Sequence, residues 1–310
     1  MFAARCAGVS LALFLLLYIP AALAMVRLWP FLYRFVAPGT TRGAARLLFA
    51  LRIFPFALAL AFTFGFTLPS FLLLEPRATN EAVGTAPAVL GLCCLALLVA
   101  GVVQAANAQL KTRRALVKWL NGSTMMKGGT AVPVFRTRED APSLTVAGVR
   151  DPMVLVSDAA IAALTAPELQ AALKHELAHA GSYDNLKKLL FRLAAFPGMS
   201  ALERAWAEQS ELAADDEAVR SPQDALDLAS ALIKVSRLAQ PQAALTSGLL
   251  HSSTALEVRI QRLVSWESQA APRGKSWHYV LPPLAAATVL IATYRPALNS
   301  LHQITEWLVR

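Results

Sequence analysis

His175 and His179 flank Glu176 in the run His-Glu-Leu-Ala-His, and these side chains are the first in the chain whose spacing could do chemistry. On a helix, residues four apart lie one turn apart on the same face. Two imidazoles so placed can hold one metal ion, and the glutamate between them can reach a water beside it. With five histidines and twelve glutamates in 310 residues, such a run arises by chance on the order of once in several hundred chains. The bland alternative is a surface helix carrying two solvated histidines.

The neighbouring residues provide the helix. Thr165 and Glu168 have the spacing of a capping box, and Pro167 falls in the first turn, where its missing N–H is harmless. The run "LQAALKHELAHAGSYDN" continues it. Leu169, Leu173 and Leu177 share one face for burial, and His175 stands about 200° round from Leu173, facing a cleft. Upstream, residues 131–157 read as three strands, "AVPVF", "SLTVAG" and "MVLVS", punctuated by Gly148 and Pro152. The strand "SLTVAG" is either a cleft edge on which an extended substrate pairs or an ordinary member of the sheet.

A catalytic zinc site needs a third protein ligand and one open position. No third histidine follows His179 at the usual spacing, and His278 and His302 belong to predicted membrane and tail segments. The helix expected over "ALERAWAEQSELAADDEAV" offers Glu203, Glu208, Glu211, Asp215, Asp216 and Glu217. Glu211 and Asp215 stand one turn apart, so one can bind metal while the other supports a ligating histidine through its second ring nitrogen. Spacing alone leaves Glu208 in contention with Glu211. A solvated acidic face accounts for Glu203, Glu208 and Glu217.

Composition places this machinery beside a membrane. Hydrophobic residues make up 56% and charged residues 16%, against about 45–50% and about 25% in soluble domains. Disorder is excluded by the same balance. Of the 20 acids only Glu75 and Glu81 precede residue 110, which separates a membrane part from a water-facing part. Apolar runs at about 6–26, 53–74 and 86–106 are long enough to span, and a fourth from about 277 to 294 contains Pro282 and Pro283. The first run also has the look of a signal peptide ending at Ala22-Leu23-Ala24. Against cleavage stands the stretch 27–52, with five arginines and no acid, which marks a cytoplasmic loop by the positive-inside rule. The net charge of +9 is therefore absorbed by membrane orientation and anionic headgroups, and no nucleic-acid motif or direct nucleic-acid binding is indicated. Cys6, Cys93 and Cys94 sit in apolar runs, so neither a disulfide framework nor a cysteine metal site is expected. Between the two metal motifs, Leu189, Leu190, Phe191, Leu193 and Phe196 alternate with Lys187, Lys188 and Arg192, as core packing or as a basic amphipathic helix at the lipid surface.

"LTAPELQAALKHELAHAGSYDNLKKLL" followed by "ELAADDEAV" resembles the membrane-integrated zinc peptidases of the BlaR/MecR type, whose relatives include HtpX and the CaaX prenyl protease. The resemblance covers roughly residues 130–265. It implies a mainly α membrane protein with about four transmembrane helices and a cytoplasmic α+β zincin-like (gluzincin) protease domain. The expected division is 1–108 for three spans, 109–275 for the protease domain, and 276–310 for the fourth span and a short amphipathic tail. It implies His175, His179 and Glu211 as ligands of one Zn2+ per chain, Glu176 as general base and Asp215 in support behind a ligand. The segment "HSSTALEVRIQRL" keeps Arg259, Ile260, Arg262 and Leu263 of an HtpX-like pattern, while His251 is followed by Ser rather than Pro. His251 is thus either an oxyanion donor or a solvated loop histidine, and Arg259 either lines the cleft or pairs with a carboxylate.

The implied activity is zinc-dependent hydrolysis of peptide bonds in membrane-proximal or cytoplasmic proteins, at a bacterial cytoplasmic membrane. The alternatives are a protease-type signal transducer that cleaves a transcriptional repressor in response to a partner sensor, and an inactive scaffold. The sensor-transducers carry an external ligand-binding domain after the fourth span, where this sequence has about sixteen residues, so a stimulus is expected through a partner.

Overall fold

The computed structural model describes residues 2–36, 39–74, 84–126, 132–138, 142–238 and 253–266, with Pro296, Ser300 and Gln303. The predicted fourth span, the tail and His251 lie outside the described residues. Three long apolar rods come first: α1 (Phe2–Val36), α2 (Thr41–Phe62) and α4 (Thr85–Leu120). A π-turn at Thr63–Thr67 carries α2 on into α3 (Leu68–Leu74), making one rod of 34 residues. Among the described residues, these three are long and apolar enough to cross a bilayer. Their outer faces expose side chains such as Leu73, Leu92 and Val103, as a lipid-facing surface requires.

The rods are longer than the apolar runs within them. Residues 27–52, expected as a loop, are instead almost wholly helical: α1 continues to Val36, and after a short break Thr40 caps α2 by accepting the Gly43 N–H at 3.1 Å. The aromatic, aliphatic and arginine residues there are compatible with a helix, so the charge pattern marked position and not loop structure.

The water-facing part begins with a four-stranded sheet in the order β1-β2-β4-β3. β1 (Thr124–Met125) and β2 (Val134–Thr137) pair antiparallel, β2 and β4 (Met153–Ser157) parallel, and β3 (Leu144–Ala147) closes the far edge antiparallel to β4. Central β4 is buried on both faces through Val154, Leu155 and Val156, which explains its unbroken apolar run. Gly148 follows β3 with φ of 93°, and a Cβ there would stand 2.5 Å from the Asp151 carbonyl oxygen. Only glycine makes that turn.

A short α5 (Asp158–Ala163), capped by Ser157, leads to α6 (Ala166–Gly181). Leu169, Leu173 and Leu177 of α6 pack against Val134, Val154 and Val156. The capping box forms, and its Glu168 does more than cap. Its carboxylate accepts the Thr165 N–H at 2.8 Å, the Ser230 hydroxyl at 2.5 Å and the Lys234 ammonium at 2.7 Å, tying α6 to α9 (Pro222–Leu238). Burial alone would raise the Glu168 pKa, but these donors outweigh it and hold it at about 2 against an ordinary 4.5. A depressed carboxylate pKa stabilises the fold above the ordinary value, and that stability is lost as pH falls from about 4.5 to about 2. The amount at stake is about 1 kcal/mol once solvent screening at the partly exposed Lys234 is allowed for. Glu168→Gln is expected to lower stability at neutral pH and to flatten its decline over that window, as measured by unfolding in detergent at stepped pH. An unchanged acid slope in Glu168→Gln would contradict this.

The last two elements before and after α9 are α8 (Ser200–Ala218) and α10 (Ser253–Val264), while α7 (Asp184–Leu193) runs back against α4. At Gly101 of α4 the approach is so close that a Cβ would meet the Leu193 carbonyl oxygen. Phe191, Met199, Leu202 and Trp206 join Phe14, Tyr18 and Leu48 in one core, so the elbow between α7 and α8 is sunk among the apolar rods.

Candidate metal site

α6 stops at Gly181, four residues short of the expected Asn185. Tyr183 adopts a left-handed backbone, φ 56°, and the chain turns into α7. The turn swings Asp184 back under α6. Its Oδ2 lies 2.7 Å from His179 Nδ1 and accepts the Ser210 hydroxyl at 2.5 Å, while Oδ1 accepts Lys187 Nζ at 2.9 Å. Asp184 is buried, and the sequence reading assigned it nothing. A carboxylate within two turns after a His-Glu-x-x-His run was the available signal.

His175 is held in a matching way from the other side. Its Nδ1 lies 3.0 Å from Asp215 Oδ1, although off the line of a well-aligned hydrogen bond. With each Nδ1 turned to a carboxylate, the two Nε2 atoms face each other at 3.2 Å. Glu211 completes the group: its Oε2 is 3.6 Å from His175 Nε2 and its Oε1 is 3.5 Å from His179 Nε2. One donor atom from each of His175, His179 and Glu211 lies within 4.8 Å of the others. Glu208, which spacing had left in contention, is exposed on α8 and outside this group. The remaining acids of α8 are not merely solvated either. Glu203 accepts from Arg52 at 2.7 Å, and Glu217 pairs with Arg42 at 3.2 Å.

Arg259 of α10 pairs with carboxylates and borders the cluster at the same time. Its guanidinium donates to Asp215 Oδ2 at 2.8 Å, Asp215 Oδ1 at 2.7 Å and Glu211 Oε2 at 2.8 Å, and reaches 3.5 Å from His175 Nε2. Glu176 points elsewhere. Its Oε2 accepts the Val146 N–H of edge strand β3 at 2.9 Å, and Asn185 Nδ2 donates to the Val146 and Gly148 carbonyls at 3.2 and 3.0 Å. "SLTVAG" is an edge strand, which both readings allow: among the described residues β3 pairs with β4 alone, and it lines a cleft of about 180 Å³ with His175, Glu176, His179 and Glu211.

The electrostatics follow from this packing. Burial favours neutral imidazoles, yet Asp184 and Glu211 outweigh it and raise His179 to about 9; Asp215 and Glu211 raise His175 likewise. Burial also opposes ionised carboxylates, but the histidines and Arg259 hold Glu211 and Asp215 well below the ordinary range, and His179, Ser210 and Lys187 hold Asp184 at about 2. Two nitrogens and a carboxylate oxygen converging, each imidazole backed by its own carboxylate, are the donor set and support that Zn2+ takes in open sites. The residues present fit that ion. Because its ligands must shed their protons, binding is coupled to proton release.

Asp184→Asn is expected to weaken zinc binding about 10- to 100-fold with the fold retained, as removal of a carboxylate behind a ligating histidine does. Competition against a chromophoric chelator measures it. Affinity within twofold of wild type would show that Asp184 only joins α6, α7 and α8 through His179, Lys187 and Ser210.

No family model matches the chain, and no curated relative matches it.

Proposed function

We propose that the chain is a membrane-integrated zinc endopeptidase of the BlaR/MecR-like type, with a gluzincin domain that hydrolyses peptide bonds of membrane-proximal or cytoplasmic proteins. The observation that carries it is the convergence of His175, His179 and Glu211 beside Glu176, whose carboxylate lies on the edge strand β3 and accepts the Val146 N–H. By the positive-inside rule the domain faces the cytoplasm of a bacterial cell.

His175, His179 and Glu211 hold the zinc, which when bound lowers the pKa of a water and polarises a carbonyl. Glu176 takes a proton from the attacking water and later delivers it to the leaving amine. The Val146 N–H keeps the Glu176 carboxylate in one orientation until substrate arrives. An extended peptide adds to β3 through the outward N–H and carbonyl of Val146, displacing Glu176 and Asn185 from them and freeing Glu176 for proton transfer. Asp184 holds the His179 imidazole through Nδ1, and Asp215 lies 3.0 Å from His175 Nδ1, so both Nε2 atoms turn toward the shared point. Arg259 pairs with Glu211 Oε2, the oxygen nearer His175, and leaves Oε1 toward His179.

A second version, a protease-type transducer acting on a repressor under control of a partner sensor, is favoured by the seating of α8. This helix, which carries Glu211, lies antiparallel along α2, joined by Arg52–Glu203 at one end and by Thr41–Asp216 and Arg42–Glu217 at the other. A shift of α2 in the membrane therefore moves a metal ligand.

The test uses full-length protein purified in detergent. About one zinc per chain is expected, with casein hydrolysis that a chelator stops and added zinc restores. No zinc at micromolar supply would overturn the proposal.

A further inference from the structure

A second, larger cleft of about 390 Å³ adjoins the cleft at the candidate metal site. The two share Thr145, Val146, Gly148 and Asn185, so β3 is the common wall. Across from β3, the wall is α4 from Ala108 to Trp119, which climbs about 16 Å at helical rise, with Leu189 of α7 below. Most of that surface is apolar. Its charged groups are Lys111, Lys188 and Arg192, all exposed; among the described residues no carboxylate lines it and none of the three is ion-paired. Lys188 borders both clefts.

The apolar run of α4 ends near residue 106, so the cleft begins at the membrane border and its far end, at Trp119, lies about 20 Å beyond it. Headgroup layers are about 5–7 Å deep on each side of the hydrocarbon. A lipid fills at most the near end. An extended chain lying on β3 borders the remainder, because Thr145, Val146 and Gly148 line both clefts.

We propose that this second cleft is the specificity channel of the peptidase and that it selects substrates with acidic side chains interspersed among apolar ones on one side of the scissile bond. The inference rests on the endopeptidase activity proposed above. Charge complementarity with Lys111, Lys188 and Arg192 selects the acids, while Ala108, Ala115, Trp119 and Leu189 take the apolar residues. Basic juxtamembrane segments, the common kind on a cytoplasmic face, are disfavoured by the same three cations.

The experiment compares internally quenched peptides of one apolar parent sequence bearing Glu, Gln or Lys at matched positions before or after the cleaved bond. Full-length zinc-loaded protein in detergent is assayed at low and high salt. In parallel, anisotropy measures binding of the labelled Glu and Gln peptides to zinc-loaded Glu176→Gln protein, so that selectivity is read even if no peptide is turned over. We expect a preference of about two- to fivefold for Glu over Gln, on one side only and shrinking with salt. The Lys188→Glu/Arg192→Glu protein is expected to invert the order of the Glu and Lys peptides. Glu and Gln peptides bound and cleaved alike would overturn the channel while leaving the peptidase intact. Absent turnover with tighter Glu binding would support the channel and count against the peptidase. If the charge reversals alter only retention of phosphatidylglycerol in nanodiscs, the cations serve headgroups and the proposal fails.

Discussion

Glu176→Gln should leave zinc binding intact and lower peptide hydrolysis by about 10²- to 10⁴-fold, the range expected for loss of a general base. Glu176 is not among the converging donors, and its nearest polar partner is the Val146 N–H on β3. The amide oxygen of glutamine can still accept that N–H, so the edge strand keeps its place. What disappears is the capacity to take a proton. Glu211→Ala should behave in the opposite order, losing zinc first and activity in consequence, because it removes the oxygen donor from the His175–His179–Glu211 group. The two variants together separate a chemical role from a binding role. Metal analysis with single-turnover cleavage of casein makes the comparison, and wild-type turnover by Glu176→Gln would remove Glu176 from the mechanism.

The parts of this site that local spacing encodes were readable in the sequence. His175, Glu176 and His179 needed only a helix, and the helix was announced by Thr165, Glu168 and a leucine every fourth residue. The acidic pair Glu211 and Asp215 was readable as a pair for the same reason. The choice of Glu211 over Glu208 was not, since it depends on how α8 rolls against α6, and the packing of Ser210, Ala214 and Asp215 inward sets that roll. Asp184 was hidden by a backbone event. Gly181 after His179 is a local stop signal, but the left-handed Tyr183 that follows, a non-glycine residue, is not one a sequence announces, and it is the turn that carries Asp184 between His179 and Ser210.

The membrane part divides in the same way. Three apolar runs announced three rods, because length and hydropathy are local properties. Their extensions beyond the bilayer, and the insertion of the α7–α8 elbow among them, are tertiary. Arginine count placed residues 27–52 on one side of the membrane, yet Arg52 is only 2% exposed and faces neither water nor headgroups. Charge statistics describe where a segment goes, and they are silent on a single cation that has found buried partners.

Replacing that cation should be among the most damaging changes available outside the metal site. Arg52 donates to Glu203 at 2.7 Å, to the Ala194 carbonyl from both terminal nitrogens at 3.1 Å and to the Phe191 carbonyl at 3.0 Å, with the Phe191 ring 5.2 Å away. These carbonyls are the loose C-terminal end of α7, where a cation also meets the negative pole of the helix. Arg52→Met keeps the length and apolar stem but removes the arginine donors from the Phe191 carbonyl and leaves the Ala194 carbonyl with the Tyr18 hydroxyl at 3.1 Å. Breaking a buried charge pair costs about 3–5 kcal/mol, and the low end applies because Glu203 is 37% exposed and can rehydrate. Arg52→Lys keeps the charge but has one nitrogen for three acceptors, so an intermediate loss is expected. The effect should also reach the metal. α7 begins with Asp184, and α8, on which Glu203 sits, carries Ser210 and Glu211. Unfolding in detergent should therefore fall in the order wild type, Arg52→Lys, Arg52→Met, with zinc affinity falling in the same order. A double cycle with Glu203→Gln apportions the loss between the ion pair and the carbonyls. If stability falls while zinc affinity holds, α2 anchors the domain without setting the position of Glu211, and the transducer version loses its structural support.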